Sequence, residues 1–417
     1  MSLLIATTNG LSSVELATGN LIKSYKQCDN VHSGLVVLST HQNSPVSILA
    51  LQRDRPLIHH YQPKKEAVAK RIVLPAKMTA LSVAPNGQWL ACGSQQGALY
   101  VWNMRSGALK ILASDAHFQA VTTLNWSRDS SVLASGGADA RVLVWRTIDL
   151  INGGGPIHTL TPHTLPIVDC VFGAGIFREA RLYTASEDAT VTVFDVFSGR
   201  LLYTLASDAT KIHCLALDPA ERAIYLGGND GVHCVPLYYE PASSTKLISV
   251  GSTDGSVVST NSVGERVLRP ESSLVVTALA VSPDASHLFV GTDEGQVSSW
   301  ETGSGQLVKK YRSTKGAASQ IVCTSGFDES QFEELPVLQR SIETDSLDFI
   351  PANVPEMVRE PVDLDEELDE IDSYSGELAS MGTCESKEST EDIEELKARH
   401  EQLQKMYDAL WEKYTQK

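Results

Sequence analysis

Short runs of alternating apolar and polar residues, each closed by a turn signal, recur along most of the chain. The run Leu81-Ser-Val-Ala-Pro-Asn-Gly-Gln-Trp-Leu-Ala-Cys-Gly-Ser, followed by Val101-Trp102, returns 43 residues later as Leu124-Asn-Trp-Ser-Arg-Asp-Ser-Ser-Val-Leu-Ala-Ser-Gly-Gly with Val144-Trp145. A third copy runs from Leu279 to Trp300, and looser ones from Val168 to Phe194 and from Cys214 to Val235. Each copy reads as an alternating run, a Pro-Asn-Gly or Pro-Asp turn, a second run, a Gly/Asp turn and a third run ending in an aromatic. A Ser-Gly or Thr-Gly turn follows, as at Ser106-Gly107, Ser198-Gly199 and Thr302-Gly303, and then a last strand. Four strands per copy make a blade.

Period and motif are those of WD repeats, and repeats of this length imply a ring of blades. Two degenerate copies precede the better five, from Leu3 to Lys26 and from Gly34 to Gln62, which predicts an all-β, seven-bladed WD-repeat β-propeller over residues 1–325. The first copy begins at its second strand. The run Ser319-Gln-Ile-Val-Cys-Thr-Ser325 is the expected donor of the missing inner strand, and such a pairing would close the ring and hide the end edges. Copy six carries an insertion from Pro241 to Pro270, rich in Ser, Thr and Gly, which reads as a long loop or added hairpin on one rim. It is either functional or merely tolerated.

After Gly326 the periodicity stops. From Gly326 to Thr390 there are nineteen Asp and Glu against three Lys and Arg, so this segment carries almost all of the formal net charge of −17 and the rest of the chain is near neutral. Residues 326–390 are therefore expected to form an acidic, disordered linker, with Leu364, Leu368 and Ile371 at helical spacing within it. Order is expected again over residues 391–417. Ile393, Leu396, His400, Leu403, Tyr407, Leu410 and Tyr414 alternate at spacings of three and four, the apolar seam of a coiled-coil α-helix. Ser389 or Thr390 would cap it, with Glu391, Asp392, Glu394 and Glu395 in its first turn. The seam needs a partner: a second copy of the chain, another protein's helix or the propeller's own flank. Self-association is the favoured choice.

The charge balance argues against a general affinity for phosphate backbones, and no basic patch stands out along the chain. The seven cysteines are scattered without a Cys-x-x-Cys pair, which favours buried thiols in a reducing compartment over disulfides or zinc. No run approaches the length of a membrane span and no signal-like leader is evident, leaving cytoplasm or nucleus as the expected location.

Chemistry is sparse. His117, Ser135, Asp139 and Trp145 have the spacing of the hydrogen-bonded tetrad of a WD blade, which outweighs a hydrolase triad because no nucleophile elbow accompanies them. Blade five keeps His163, Thr184 and Asp188 but has Phe194 in place of the tryptophan, so the last bond of its tetrad is expected to be missing. His59 and His60 would point to opposite faces of a strand, poor geometry for a metal. No phosphate-binding glycine loop is present, and no catalytic residue, cofactor or metal is expected.

Beyond the generic repeat, the stretches His163-Thr-Leu-Pro-Ile-Val-Asp-Cys170 and Ala185-Ser-Glu-Asp-Ala-Thr-Val-Thr-Val-Phe-Asp-Val-Phe-Ser-Gly-Arg-Leu-Leu202, with the acidic spacer and terminal helix, are distinctive. In these the chain resembles the WD-repeat subunit of the complex that matures precursor 60S ribosomal particles. The resemblance implies a non-catalytic scaffold of the nucleolus and nucleoplasm, needed for processing of the internal transcribed spacers of pre-rRNA. It implies a helical-repeat partner of the Rix or PELP type, a small helical-repeat third subunit, the pre-60S particle and a midasin-type AAA ATPase. It also implies pairing of two copies through the terminal helix, and a link to replication licensing. With no basic patch standing out for direct rRNA contact, contact with the particle is expected to run mainly through protein partners, and no RNA-binding residue carries over. The competing class is a substrate receptor or adaptor in ubiquitin ligation or trafficking; a propeller enzyme would need convergent polar residues in the channel.

Overall fold

The structure is a computed structural model that describes residues 2–39, 45–63, 65–207, 211–239, 248–249, 256–270, 275–311, 316–324 and 338–340. The chain divides into two compact units, Met1–Glu343 and Thr344–Lys417, the second of which lies outside the described residues. The first is a seven-bladed propeller. Inner strands meet in ring order: Asn30–Ser39 touches Met78–Val83, which touches Val121–Trp126, and so on through Ile167–Phe172, Ile212–Leu217, Val276–Val281 and Ala318–Thr324 back to Asn30–Ser39.

Closure works through the ends of this unit. Ala318–Thr324 pairs antiparallel with Ser2–Thr7, placing Ile321 opposite Ile5 and Cys323 opposite Leu3. That pairing supplies the inner strand of blade one, whose other strands are Gly10–Glu15 and Leu21–Tyr25. Leu3, Leu4, Ile5 and Ala6 are all fully buried, because both edges of their strand are paired and both faces meet neighbouring blades. The Ser2 and Thr324 hydroxyls meet at 2.8 Å across this seam.

Two of the expected boundaries shift. Blade two extends past Gln62 to a fourth strand, Val68–Val73, whose charged Lys70 and Arg71 hid it from an apolar pattern. The insertion in blade six is not wholly outside the blades. After a short ribbon of Tyr238–Tyr239 with Ile248–Ser249, the strand Ser256–Ser259 adds in parallel to the outer strand of blade five, Leu201–Ala206. Arg266–Leu268, also within the expected loop, is the outer strand of blade six itself.

Each blade runs down, up, down and up from the channel outward. The loops between second and third strands therefore share one face, called upper here, with the connections between blades; the other turns form the lower face.

Candidate functional site

In blade four the structure brings together His117, Ser135, Asp139 and Trp145. The indole N–H of Trp145 donates to Ser135 Oγ at 3.1 Å, Ser135 lies 2.9 Å from His117 Nε2, and His117 Nδ1 lies 3.1 Å from Asp139 Oδ1. Burial holds the imidazole below its usual pKa, against the pull of Asp139. A neutral ring with its proton on Nδ1 completes the relay: tryptophan donates to serine, serine to histidine, histidine to aspartate. Asp139 also accepts the backbone N–H groups of Phe118 and Arg141, at 3.0 Å and 3.2 Å. Ser135 is fully buried, so this is a structural strut without access for a substrate.

The other blades solve the same problem differently. In blade five His163 contacts Asp188 and Thr184, and Thr192 closes the set by lying 2.6 Å from Thr184 and 3.0 Å from His163 Nε2. Phe194 is simply core. Blade seven keeps Trp300, whose N–H donates at 2.9 Å to Ser298, two residues earlier on its own strand. Blade three keeps Trp102 but, 43 residues before each member of the blade-four set, has Leu74, Cys92 and Gln96. Its acceptor comes from beyond the propeller: Trp102 donates to the carbonyl of Gln339 at 2.8 Å, and Gln339 N–H donates to the carbonyl of Gly107 at 2.8 Å. Leu338 enters the core shared by blades two and three. Leu338 and Gln339, from the stretch expected to be linker, are thus built into the propeller at blade three.

Blade six binds its insertion through an ion pair. His233 meets Glu265 at Nδ1 and Asp230 at Nε2, the latter at 3.0 Å, and Thr260 donates to the other Glu265 oxygen at 2.5 Å. Burial opposes charge on both partners. The hydrogen bonds and opposite charges outweigh it, holding His233 above its usual pKa and Glu265 below. The pair is therefore intact between those two limits and weakens as pH leaves that window in either direction. In the channel wall Asp169 accepts from Thr123 and from its own-strand Cys170 N–H, and burial pushes its carboxyl up to about 6.

Among the described residues, exposed apolar side chains gather beside arginines at two places. On the lower face Ile148, Ile176 and Phe197 are 62%, 65% and 51% exposed, and Phe197 meets the Phe177 ring edge-on at 5.6 Å. The guanidinium groups of Arg146 and Arg178 lie over these two rings, at 5.2 Å and 5.7 Å. On the upper face Phe118 is 72% exposed beneath Arg141 at 4.2 Å, with Leu165 exposed on the next blade. Exposed aromatics with stacked arginines are the residue types that dominate binding energy at protein interfaces.

The model for the WD domain, G-beta repeat, matches residues 72–103 and 109–146, which take in the four strands of blade three and the first three of blade four. Pre-rRNA-processing protein Crb3/Ipi3 of Schizosaccharomyces pombe is 30% identical over 451 residues, spanning 98% of this chain and 99% of that protein. This chain belongs to the Ipi3 family of pre-rRNA-processing proteins. The Ipi3 of Yarrowia lipolytica is 33% identical over 353 residues, 81% of each chain. WD repeat-containing protein 18 of Bos taurus is 31% identical over 71% of this chain and 65% of its own. Among solved structures, the computationally designed Ika8 protein superposes with a TM-score of 0.53 over 76% of this chain and 86% of its own at 18% identity, a likeness of fold alone.

Within this Ipi3-family chain, sequence spacing located the blade-four relay but missed the partners that come from elsewhere. The 43-residue offset does expose Trp102 as a tryptophan without a serine; nothing in it points to Gln339. Phe118 and Leu165 follow the tetrad histidines by one and two residues, a signal that such positions sit on the upper rim. His59 reaches the Gln27 carbonyl at 2.9 Å, and among the described residues no group of three or more His, Cys, Asp and Glu could hold a metal. Cys28, Cys92, Cys170 and Cys214 are buried free thiols, all with raised pKa values from burial. No helix among the described residues is long and apolar enough to cross a membrane. The helix residues Ile393, Leu396, His400, Leu403, Tyr407, Leu410 and Tyr414 lie outside the described residues, as do Cys384 and the acidic stretch from Ser341 onward.

Proposed function

We propose that this protein is a non-catalytic scaffold in maturation of the large ribosomal subunit, acting in processing of the pre-rRNA internal transcribed spacers. The observation that carries the reading is the 30% identity with a pre-rRNA-processing protein over nearly the whole of both chains. A relay sealed inside a blade and exposed apolar patches on both faces suit a binding platform. In this reading the protein works in the nucleolus and nucleoplasm. A helical-repeat subunit and a small third subunit join it, the complex docks on the pre-60S particle, and a midasin-type AAA ATPase is recruited there; a part in replication licensing would be secondary. Affinity purification of the tagged protein should recover a stoichiometric helical-repeat subunit with pre-60S proteins, and its depletion should stall spacer processing. Recovery of a cullin-type ligase without ribosomal proteins would instead support the receptor reading.

The terminal heptads are assigned to pairing of two copies. Three heptads are marginal alone, and His400 at a seam position limits their register. The double change Leu403→Asp with Leu410→Asp should therefore turn a dimer into a monomer in light scattering without changing the propeller's melting. An unchanged mass would remove the assignment.

A further inference from the structure

The near-neutral propeller hides an uneven distribution of charge. Between Arg53 and Lys77 the chain carries seven Lys and Arg against two Asp and Glu, a local excess that the reading for a basic patch along the whole chain overlooked. Folding gathers it. A cleft of about 530 Å³ at the junction of blades one and two is lined by Lys26, Lys70 and Arg71. A second, of about 400 Å³, is lined by Arg53, Arg55 and again Arg71. Gln27 belongs to both, and its Oε1 accepts from Arg71 Nη2 at 2.8 Å, so the two clefts form one continuous surface.

Five cations and two carboxylates, Asp29 and Asp54, line that surface. Asp54 is engaged by Lys77 at 3.4 Å, and the neighbouring Glu66 lies 3.9 Å from Lys26. Arg53, Arg55 and Arg71 are exposed. Their field reaches inward: His59 is held below its usual pKa by burial first, and by Arg71 and Arg55 after it. Basic residues on the outer strand Val68–Val73 would protect an exposed sheet edge from pairing with another chain. That explanation does not reach Arg53 and Arg55, which sit on the loop between the second and third strands of the blade.

We infer that this surface of blade two binds the phosphate backbone of double-helical RNA, an inference that rests on the pre-rRNA reading above. A protein partner would need an apolar anchor there, because interface energy concentrates in buried aromatic and aliphatic side chains. The two clefts offer none: Leu57 and Val68 are partly buried, His59 is buried, and the exposed Leu21, Ile22 and Val73 of the neighbouring outer strands line neither cleft. A single strand would need exposed rings on which bases stack. Tyr25 and Tyr61, the nearby aromatics, are buried against each other. Cations without stacking groups fit a helix read through its backbone and shape.

Fluorescence anisotropy on the full chain with a labelled 20-base-pair RNA duplex (about two turns) tests this at low salt. Wild type should bind with an affinity whose logarithm falls linearly as log salt rises, and Arg53→Gln with Arg55→Gln and Arg71→Gln should make that slope shallower by about 3. The corresponding Glu variant should lose at least about tenfold in affinity, while an Arg-to-Lys triple keeps most of it. Unchanged melting of the Gln variant separates loss of contact from loss of fold. The inference is overturned if wild type does not bind, if the Gln variant binds with unchanged slope, if a single strand of the same sequence binds as well, or if poly-glutamate displaces the duplex with equal potency. In depleted cells, full rescue of spacer processing by the Gln variant would sink this inference and leave the scaffold role standing. Normal processing without the protein would sink the scaffold role and leave the anisotropy result untouched.

Discussion

A chain ending at Gly316 should fail to unfold cooperatively in urea, one ending at Ser325 should fold with a lowered midpoint, and one ending at Glu343 should match the full protein. The first loses Ala318–Thr324 and leaves Ser2–Thr7, with its fully buried Leu3, Leu4 and Ile5, as an open edge of the ring. The second keeps the closed ring but loses Leu338 from the core of blades two and three, together with the carbonyl that satisfies Trp102. Emptying the site of a buried leucine costs about 2–5 kcal/mol. A buried indole N–H left without an acceptor costs a further 1–3 kcal/mol or so. Because Cys92 stands where blade four has Ser135, Cys92→Ser in the chain ending at Ser325 should recover about 1 kcal/mol by giving Trp102 an acceptor on its own blade. Equal midpoints for the chains ending at Ser325 and Glu343 would show that the returning segment adds nothing to stability.

Such a ladder also marks where the sequence stops being legible. Blade number, strand order and the closing strand follow from local signals: a 43-residue period, turn residues at fixed offsets, and a first copy with no inner strand of its own. Register is set by burial on both faces, and a pattern of small and apolar residues records it. Outer strands are harder, since Val68–Val73 is exposed on one side and carries Lys70 and Arg71 where an inner strand would be apolar. Contacts that join distant parts of the chain leave no local trace. Gln339 meets Trp102 through a backbone carbonyl, which any residue could supply, and Glu265 reaches His233 across an insertion whose composition reads as loop. The basic surface of blade two escaped for a related reason. Its cations arrive from the first connection between blades, one turn and one outer strand, and become a surface when those are stacked.

The tryptophans of strand three supply the sharpest test of why the sealed relay persists. Ser135→Ala in blade four removes one hydroxyl but strands two buried groups, the Trp145 N–H and His117 Nε2, so it should cost about 2–4 kcal/mol of stability. Trp145→Phe should cost less in hydrogen bonding, because it deletes the donor and leaves Ser135 still bonded to His117. Blade five is the natural control, with Phe194 already in place and Thr192 making up the set. The relay should also be sensitive to acid, in a direction fixed by His117. Its folded pKa is depressed by burial while the unfolded value stays near 6.5, so below that pH the unfolded chain binds the extra proton and stability falls until the depressed value is passed. His117→Gln removes that proton. The variant should be much weaker than wild type at pH 8, and the gap should shrink as pH drops below about 6.5, a comparison in which the other buried histidines cancel. A gap that stays constant from pH 8 to pH 5 would mean that the fold does not shift His117 at all, and a gap that widens on acidification would mean that the relay of tryptophan, serine, histidine and aspartate has a charged ring at its centre.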